Sequence, residues 1–193
     1  MRIGVLGGSF NPPHIGHLLI ASDAFEALSL DRLLVVPAYA NPLKEFDDVG
    51  PTAEQRLEMV RLTFAGDPRF DVSSMEIDRG GLSYMVETLE TLAAQAPGAE
   101  LILLLGMDTY QSLDRWMRPG RIRELATLGV FARGDSGEAL PDGVTSVTTR
   151  RIDVSSSEIR ARLAAGRSIK GFVAESVESF IAAAKLYASP AAV

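Results

Sequence analysis

Two short runs of the chain, LLVVP at Leu33 to Pro37 and LILLLG at Leu101 to Gly106, carry no polar side chain at any position. A strand with one wet face alternates apolar and polar residues. A run without alternation therefore belongs to a strand covered on both faces, as in parallel sheets sandwiched between helices. Further strand-like runs lie at Arg2 to Gly7, Phe70 to Ile77 and Leu128 to Ala132, with an extended piece near Val144 to Val154. Between them, apolar residues recur every three or four positions, which predicts helices over Ile15 to Leu28, Ala53 to Ala65, Met85 to Gln95, Gly120 to Leu125, Ser156 to Ala164 and Ala174 to Tyr187. Thr52 with Gln55 and Ser155 with Glu158 have capping-box spacing and mark two helix starts. The alternation predicts an α/β fold with a parallel, doubly wound sheet, helices on both faces and ligands at the carboxyl ends of the strands.

At 193 residues the chain suits one domain. We expect that domain over residues 1–188, with Gly134 to Gly143 as a mobile loop and Ser189 to Val193 as a flexible tail. A formal net charge of -6 supplies no global positive field for nucleic acid or an anionic membrane, so neither is an expected partner, and anionic ligands need a local pocket. The absence of cysteine removes disulfides, thiolate metal sites and thiol nucleophiles. With no export signal or membrane span in the pattern, a reducing cytoplasm is the expected location. Homo-oligomerisation is left open.

The segment GGSFNPPHIGH, Gly7 to His17, closes the first strand and opens the first helix. Adjacent Gly7 and Gly8 let backbone approach a ligand closely, and Pro13 presets a helix start, whose unpaired amides attract phosphate. His14 and His17, the only histidines, fall on one face of the first turn, with Gly16 expected to clear space for a bulky ligand. A dinucleotide-binding oxidoreductase would show G-x-G-x-x-G here, and this chain does not.

GGSFNPPHIGH resembles the first signature of the nucleotidylyltransferase superfamily, and VSSSEIR at Val154 to Arg160 resembles its second. Within the superfamily the chain is most similar to the bacterial nicotinate-nucleotide adenylyltransferases. The likeness extends through LLVVP, Lys44, TAEQRLEM, LSYMVETL, LLLGMD, Trp116, Arg133 and the closing KLY. It implies a Rossmann-like fold and transfer of the adenylyl group of ATP to nicotinate mononucleotide, with pyrophosphate leaving. A second acceptor, such as nicotinamide mononucleotide or another phosphorylated molecule, stays open as an alternative, as does a non-catalytic nucleotide sensor.

The chemistry fits the residue types. A phosphate monoester is mostly ionised at neutral pH, so the nucleophile needs no general base, and catalysis reduces to alignment and charge neutralisation. The resemblance implies His14, His17 and Arg160 as catalytic groups, the histidines donating to phosphate oxygens. It implies ATP contacts from Gly7, Gly8, Ser9, Phe10, Gly106, Asp108, Arg133, Ser155, Ser156, Ser157 and Arg160, with Asp108 accepting from ribose hydroxyls. Taken alone, Ser155 is a helix cap and Arg160 a solvated charge. Lys44 would touch phosphate. Ser83, Tyr84 and Met85 would receive the nicotinate carboxylate on main-chain amides, and Trp116 would stack on the pyridine ring. Mg2+ is expected to arrive with ATP, held by phosphate oxygens and water. Ala38, Leu43, Met85 and Met117 depart from the family's usual residues, all on the mononucleotide side.

Overall fold

The computed structural model describes residues 1–43, 50–133, 143–150 and 152–188. Six strands form one parallel sheet: β1 (Arg2–Gly8), β2 (Arg32–Pro37), β3 (Phe70–Val72), β4 (Glu100–Gly106), β5 (Ala126–Arg133) and β6 (Val144–Thr149), in the spatial order β3-β2-β1-β4-β5-β6. The helices are α1 (Ile15–Ala27), α2 (Ala53–Phe64), α3 (Met75–Arg79), α4 (Met85–Gln95), α5 (Met107–Gln111), α6 (Pro119–Leu125), α7 (Ser156–Ala164) and α8 (Glu175–Ala183), with a 3-10 turn at Leu113–Arg115.

β4 shows why its run is apolar throughout. Leu101, Leu103 and Leu105 bury in one layer with Val86 and Leu89 of α4 and Ile122 of α6. Ile102 and Leu104 bury in the other, with Ala21 and Ala24 of α1 and Val60 and Phe64 of α2. Each such side chain contributes about 1.5–3 kcal/mol on burial, so a polar residue at any of these positions is costly. A third cluster, with Met59 of α2, Ile159 of α7 and Val177 and Ile181 of α8, docks the C-terminal helices beside α2.

The strand order reverses at β1. Its pairing with β4 runs only from Arg2 opposite Glu100 to Val5 opposite Leu103. β1 nevertheless stays paired with β2 as far as Gly8, and β4 with β5 as far as Gly106. β1 and β4 therefore part at their carboxyl ends, at the switch point where open α/β sheets hold ligands.

Both anticipated helix starts are capped. The Thr52 hydroxyl accepts from the Gln55 N–H at 3.2 Å while the Gln55 side chain accepts from the Thr52 N–H at 2.9 Å. The Ser155 hydroxyl accepts from the Glu158 N–H at 3.1 Å.

Three expectations change. The strand beginning at Phe70 stops at Val72 rather than Ile77, because Ser73 and Ser74 open α3: the Ser73 hydroxyl accepts from the Met75 N–H, and the Ser74 hydroxyl donates to Asp78. Gly80 and Gly81, with φ of 69° and 70°, then end that helix. The last helix stops at Ala183 rather than Tyr187, since Lys185 and Tyr187 sit at φ 51° and 62°. The extended piece after Val144 ends at Thr149 rather than near Val154. The loop expected at Gly134 to Gly143 lies, except for Gly143, outside the described residues, as does the tail at Ser189 to Val193. Among the described residues no helix is long and apolar enough to cross a membrane.

Candidate active site

A cleft of about 480 Å3 opens where β1 and β4 separate. Gly7, Gly8 and Ser9 line it from β1, and Gly106 from β4. A Cβ on Gly7 would lie 2.5 Å from the Met85 methyl, and one on Gly8 would lie 3.1 Å from the Phe10 ring. A side chain at Gly7 would displace the Met85 methyl, and one at Gly8 would press on the Phe10 ring, so the double glycine suits the protein's own packing. Phe10 itself is buried in the core at φ 45°, its ring edge-on to His17 at 4.9 Å.

The two histidine rings lie against each other at the start of α1, tilted by 37° with centroids 3.8 Å apart. His17 lines the cleft, and its Nδ1 accepts from the His14 main-chain N–H at 3.1 Å. In the neutral ring this leaves the proton on Nε2 as a donor. His14 is buried behind it, and its Nδ1 has no hydrogen-bond partner among the described residues. Burial lowers His14 to a pKa of about 4, and burial together with the neighbouring His14 lowers His17 to about 3, so both are neutral at pH 7 without ligand. Gly16 proves to make room for the His14 ring rather than for a ligand: a Cβ there would lie 2.8 Å from His14 Nδ1 and 3.4 Å from Ile152.

The second signature meets the first. The Ser156 hydroxyl donates to the Pro12 carbonyl at 2.8 Å, and Arg160 Nη1 donates to the Asn11 carbonyl at 2.8 Å. Arg160 Nη2 reaches the Ser157 hydroxyl at 3.3 Å, and Ser155 serves as the cap of α7. The amides of Ser156 and Ser157, in the first turn of α7, have no partner among the described residues and lie at the positive end of its dipole.

A third tie has no counterpart in the signatures. Arg56 of α2 is buried and, among the described residues, bonds only main-chain oxygens. Its Nη1 donates to the carbonyls of Ser9 at 2.8 Å and Ala38 at 2.6 Å, and its Nη2 to that of Tyr39 at 2.6 Å. It stitches the ends of β1 and β2 together, and desolvation lowers its pKa. In the sequence, only its place in TAEQRLEM, at a position that must face inward, could draw attention to it.

The opposite wall of the cleft holds Ser83, Tyr84, Met85 and Trp116. The Ser83 hydroxyl accepts from the Tyr39 N–H at 2.9 Å. No side chain among the described residues caps α4 at Tyr84, so the Met85 and Val86 amides stay open. Trp116 is half-buried, and its Nε1 is buried without a partner among the described residues. Ala38, Leu43 and Met117 complete an apolar wall. Glu76 of α3 is the one carboxylate lining the cleft among the described residues; it is buried and accepts from Thr88. The sequence pattern alone puts it in a strand.

Asp108 stands on the first turn of α5, outside the cleft lining, where its neighbour Thr109 takes the wall position. Lys44 lies outside the described residues, and Arg133 is placed only as the backbone end of β5.

A sheet split at its switch point, with glycines, a histidine and a helix start around the opening, defines a nucleotide-handling α/β protein. The chain belongs to the cytidylyltransferase-like family, whose model matches residues 5–162. It is 44% identical to the probable nicotinate-nucleotide adenylyltransferase of Gemmatimonas aurantiaca over 97% of this chain and 92% of that one. It is 45% identical to the protein of the same name from Thermus thermophilus, over 97% and 100% of the two chains. In fold it matches the Plasmodium falciparum nicotinic acid mononucleotide adenylyltransferase complexed with NaAD: TM-score 0.78, 16% identity, 96% of this chain and 97% of that one.

Proposed function

We propose that this protein transfers the adenylyl group of ATP to nicotinate mononucleotide, releasing pyrophosphate and forming nicotinate adenine dinucleotide. The observation that carries the reading is the meeting of the two signatures, with Ser156 and Arg160 hydrogen-bonded to the Asn11–Pro12 loop beside the split in the sheet. The names of the full-length relatives support the same activity.

In this reading the acceptor's ionised 5′-phosphate attacks the α-phosphorus of ATP, the new P–O bond forms, and the bond to the β-phosphate oxygen breaks. The His17 Nε2–H donates to a phosphate oxygen, and the arriving polyanion raises the imidazole pKa, so that positive charge appears where negative charge develops. The amides of α7 and the remaining donors of Arg160 hold the triphosphate. The imidazoles, amides and guanidinium are donors suited to phosphate oxygens, and no group of His, Asp and Glu among the described residues could hold a metal ion, so Mg2+ would arrive with ATP, held by phosphate oxygens and water, and would supply neutralisation of phosphate charge. The open amides at Met85 and Val86 receive the nicotinate carboxylate, and Trp116 packs against the ring.

Pyrophosphate release should be measured with ATP and, separately, nicotinate mononucleotide, nicotinamide mononucleotide and phosphopantetheine. Nicotinate mononucleotide is expected to be turned over fastest. Equal rates for acid and amide would defeat the acceptor assignment, and no release with any acceptor would leave a nucleotide-binding protein without this reaction.

A further inference from the structure

Tyr187 donates its hydroxyl to Oδ1 of Asn11 at 2.6 Å, across 176 positions of sequence. Asn11 in turn offers its main-chain carbonyl to Arg160 Nη1. Asn11 is therefore gripped at both its side chain and its main chain, between the phosphate-facing loop and the C-terminal turn. That turn is unusual: Lys185 and Tyr187 both adopt left-handed backbone, a conformation that non-glycine residues keep only where the surroundings hold it. Tyr187 packs against the third core cluster, which anchors its ring. The guanidinium groups of Arg56 and Arg160 both act electrostatically on its phenol.

We propose that Tyr187 is a positioning residue for the phosphate end of the cleft: its hydroxyl fixes the Asn11 side chain, and the Asn11 carbonyl thereby holds Arg160 in place for the triphosphate. The residue type matters. A carboxylate in this position would pair with the two guanidiniums and spend the charge that phosphate needs, whereas a neutral phenol orders the loop and leaves that charge free. Burial reinforces this by pushing the phenol above its ordinary ionisation range, so it stays a donor. Tyr187 packs with α2, α7 and α8 rather than with the cluster that holds Trp116 and α4, so the effect is confined to ATP.

The role in turnover rests on the reaction proposed above, while the role in ATP binding does not. The test uses the full chain with Tyr187→Phe, Asn11→Ala and the double variant. It measures ATP affinity by calorimetry, kcat and KM by pyrophosphate release, and Tm. Tyr187→Phe is expected to weaken ATP binding and lower kcat by about tenfold each, with the mononucleotide KM and the Tm close to wild type. The double variant should lose no more than the worse single variant, because both act through one contact. Unchanged ATP affinity in Tyr187→Phe, losses that multiply in the double variant, or a loss that follows Tm would overturn the proposal. If wild type turned over no acceptor, the proposed reaction would fail, and calorimetry would still decide the place of Tyr187.

Discussion

The two ends of the cleft are built by different means. At the end proposed to hold phosphate, the loop after β1 is tied by Arg56 to the end of β2 and by Ser156 and Arg160 to α7, all through main-chain carbonyls. At the end proposed for the acceptor, Trp116, Met85, Met117 and Leu43 supply apolar surface, and the indole N–H has no partner among the described residues. A polyanion demands donors fixed in advance, since reorienting them during reaction would consume the electrostatic gain. A flat ring demands area, which adaptable side chains such as methionine provide. If this division holds, substitutions at the phosphate end should lower kcat and those at the acceptor end should raise KM.

The largest break in that comparison should come from His17→Ala. Loss of a donor aimed at developing charge costs about 10²–10³-fold in kcat, roughly 3–4 kcal/mol. Because His17 also accepts the His14 N–H, His17→Asn should accompany it, keeping an acceptor for that amide. Both variants should melt near wild type and turn over far more slowly. A kcat within a few-fold of wild type in both would remove His17 from the reaction.

The elements at each end were legible in the sequence to different degrees. The helix start after His14 and the caps at Thr52 and Ser155 are local features, each fixed by residues within a few positions, and the structure has each of them where the sequence places it. The acceptor wall was legible only as residue types. Which of them face the cleft depends on the 3-10 turn and α5, short elements with too few residues to show a period. Asp108, expected among the ATP contacts, stands on α5 beside the lining, where Thr109 takes the wall position. Arg56 and Tyr187 carry no such local mark: their partners are Ser9, Ala38, Tyr39 and Asn11, distant in sequence and, for Arg56, all main-chain oxygens, which no spacing encodes. The sequence at Gly16 shows a demand for space but not its occupant, since only the folded chain brings the His14 ring beside it.

A second contrast concerns pH. The imidazoles at the phosphate end are held neutral, with pKa values of about 4 and about 3, whereas an unfolded chain takes up protons near pH 6.5. Between these values the unfolded state binds more protons than the folded one. Stability therefore rises with pH through this window and is lost as pH falls below about 6.5. We expect a loss of about 3 kcal/mol between pH 6.5 and 5 from the two rings together, read as a falling Tm. Inorganic tripolyphosphate should reverse part of it by stabilising the charged imidazoles. A double variant lacking both rings, His14→Ala with His17→Ala, should show a flatter Tm profile. A wild-type Tm that is flat over this range, or equally steep in the double variant, would place the pH dependence elsewhere.

The smallest effect, and the one that sharpens the comparison most, concerns Trp116. An aromatic stack is worth about 0.5–1.5 kcal/mol beyond its area, so Trp116→Leu should raise the mononucleotide KM roughly 3–10-fold while leaving the ATP KM and kcat near wild type. Trp116→Phe separates the ring from its donor. It keeps a flat face but removes an N–H that already lacks a partner among the described residues, so it sacrifices no hydrogen bond seen in the free protein. If the wall works by area alone, Trp116→Phe should lie close to wild type. If the bound acceptor satisfies the indole N–H, Trp116→Phe should fall near Trp116→Leu, and the acceptor end would then contain a fixed donor like those opposite. An unchanged KM in Trp116→Leu would take the residue out of acceptor binding altogether, and with it the claim that apolar area is what this wall contributes.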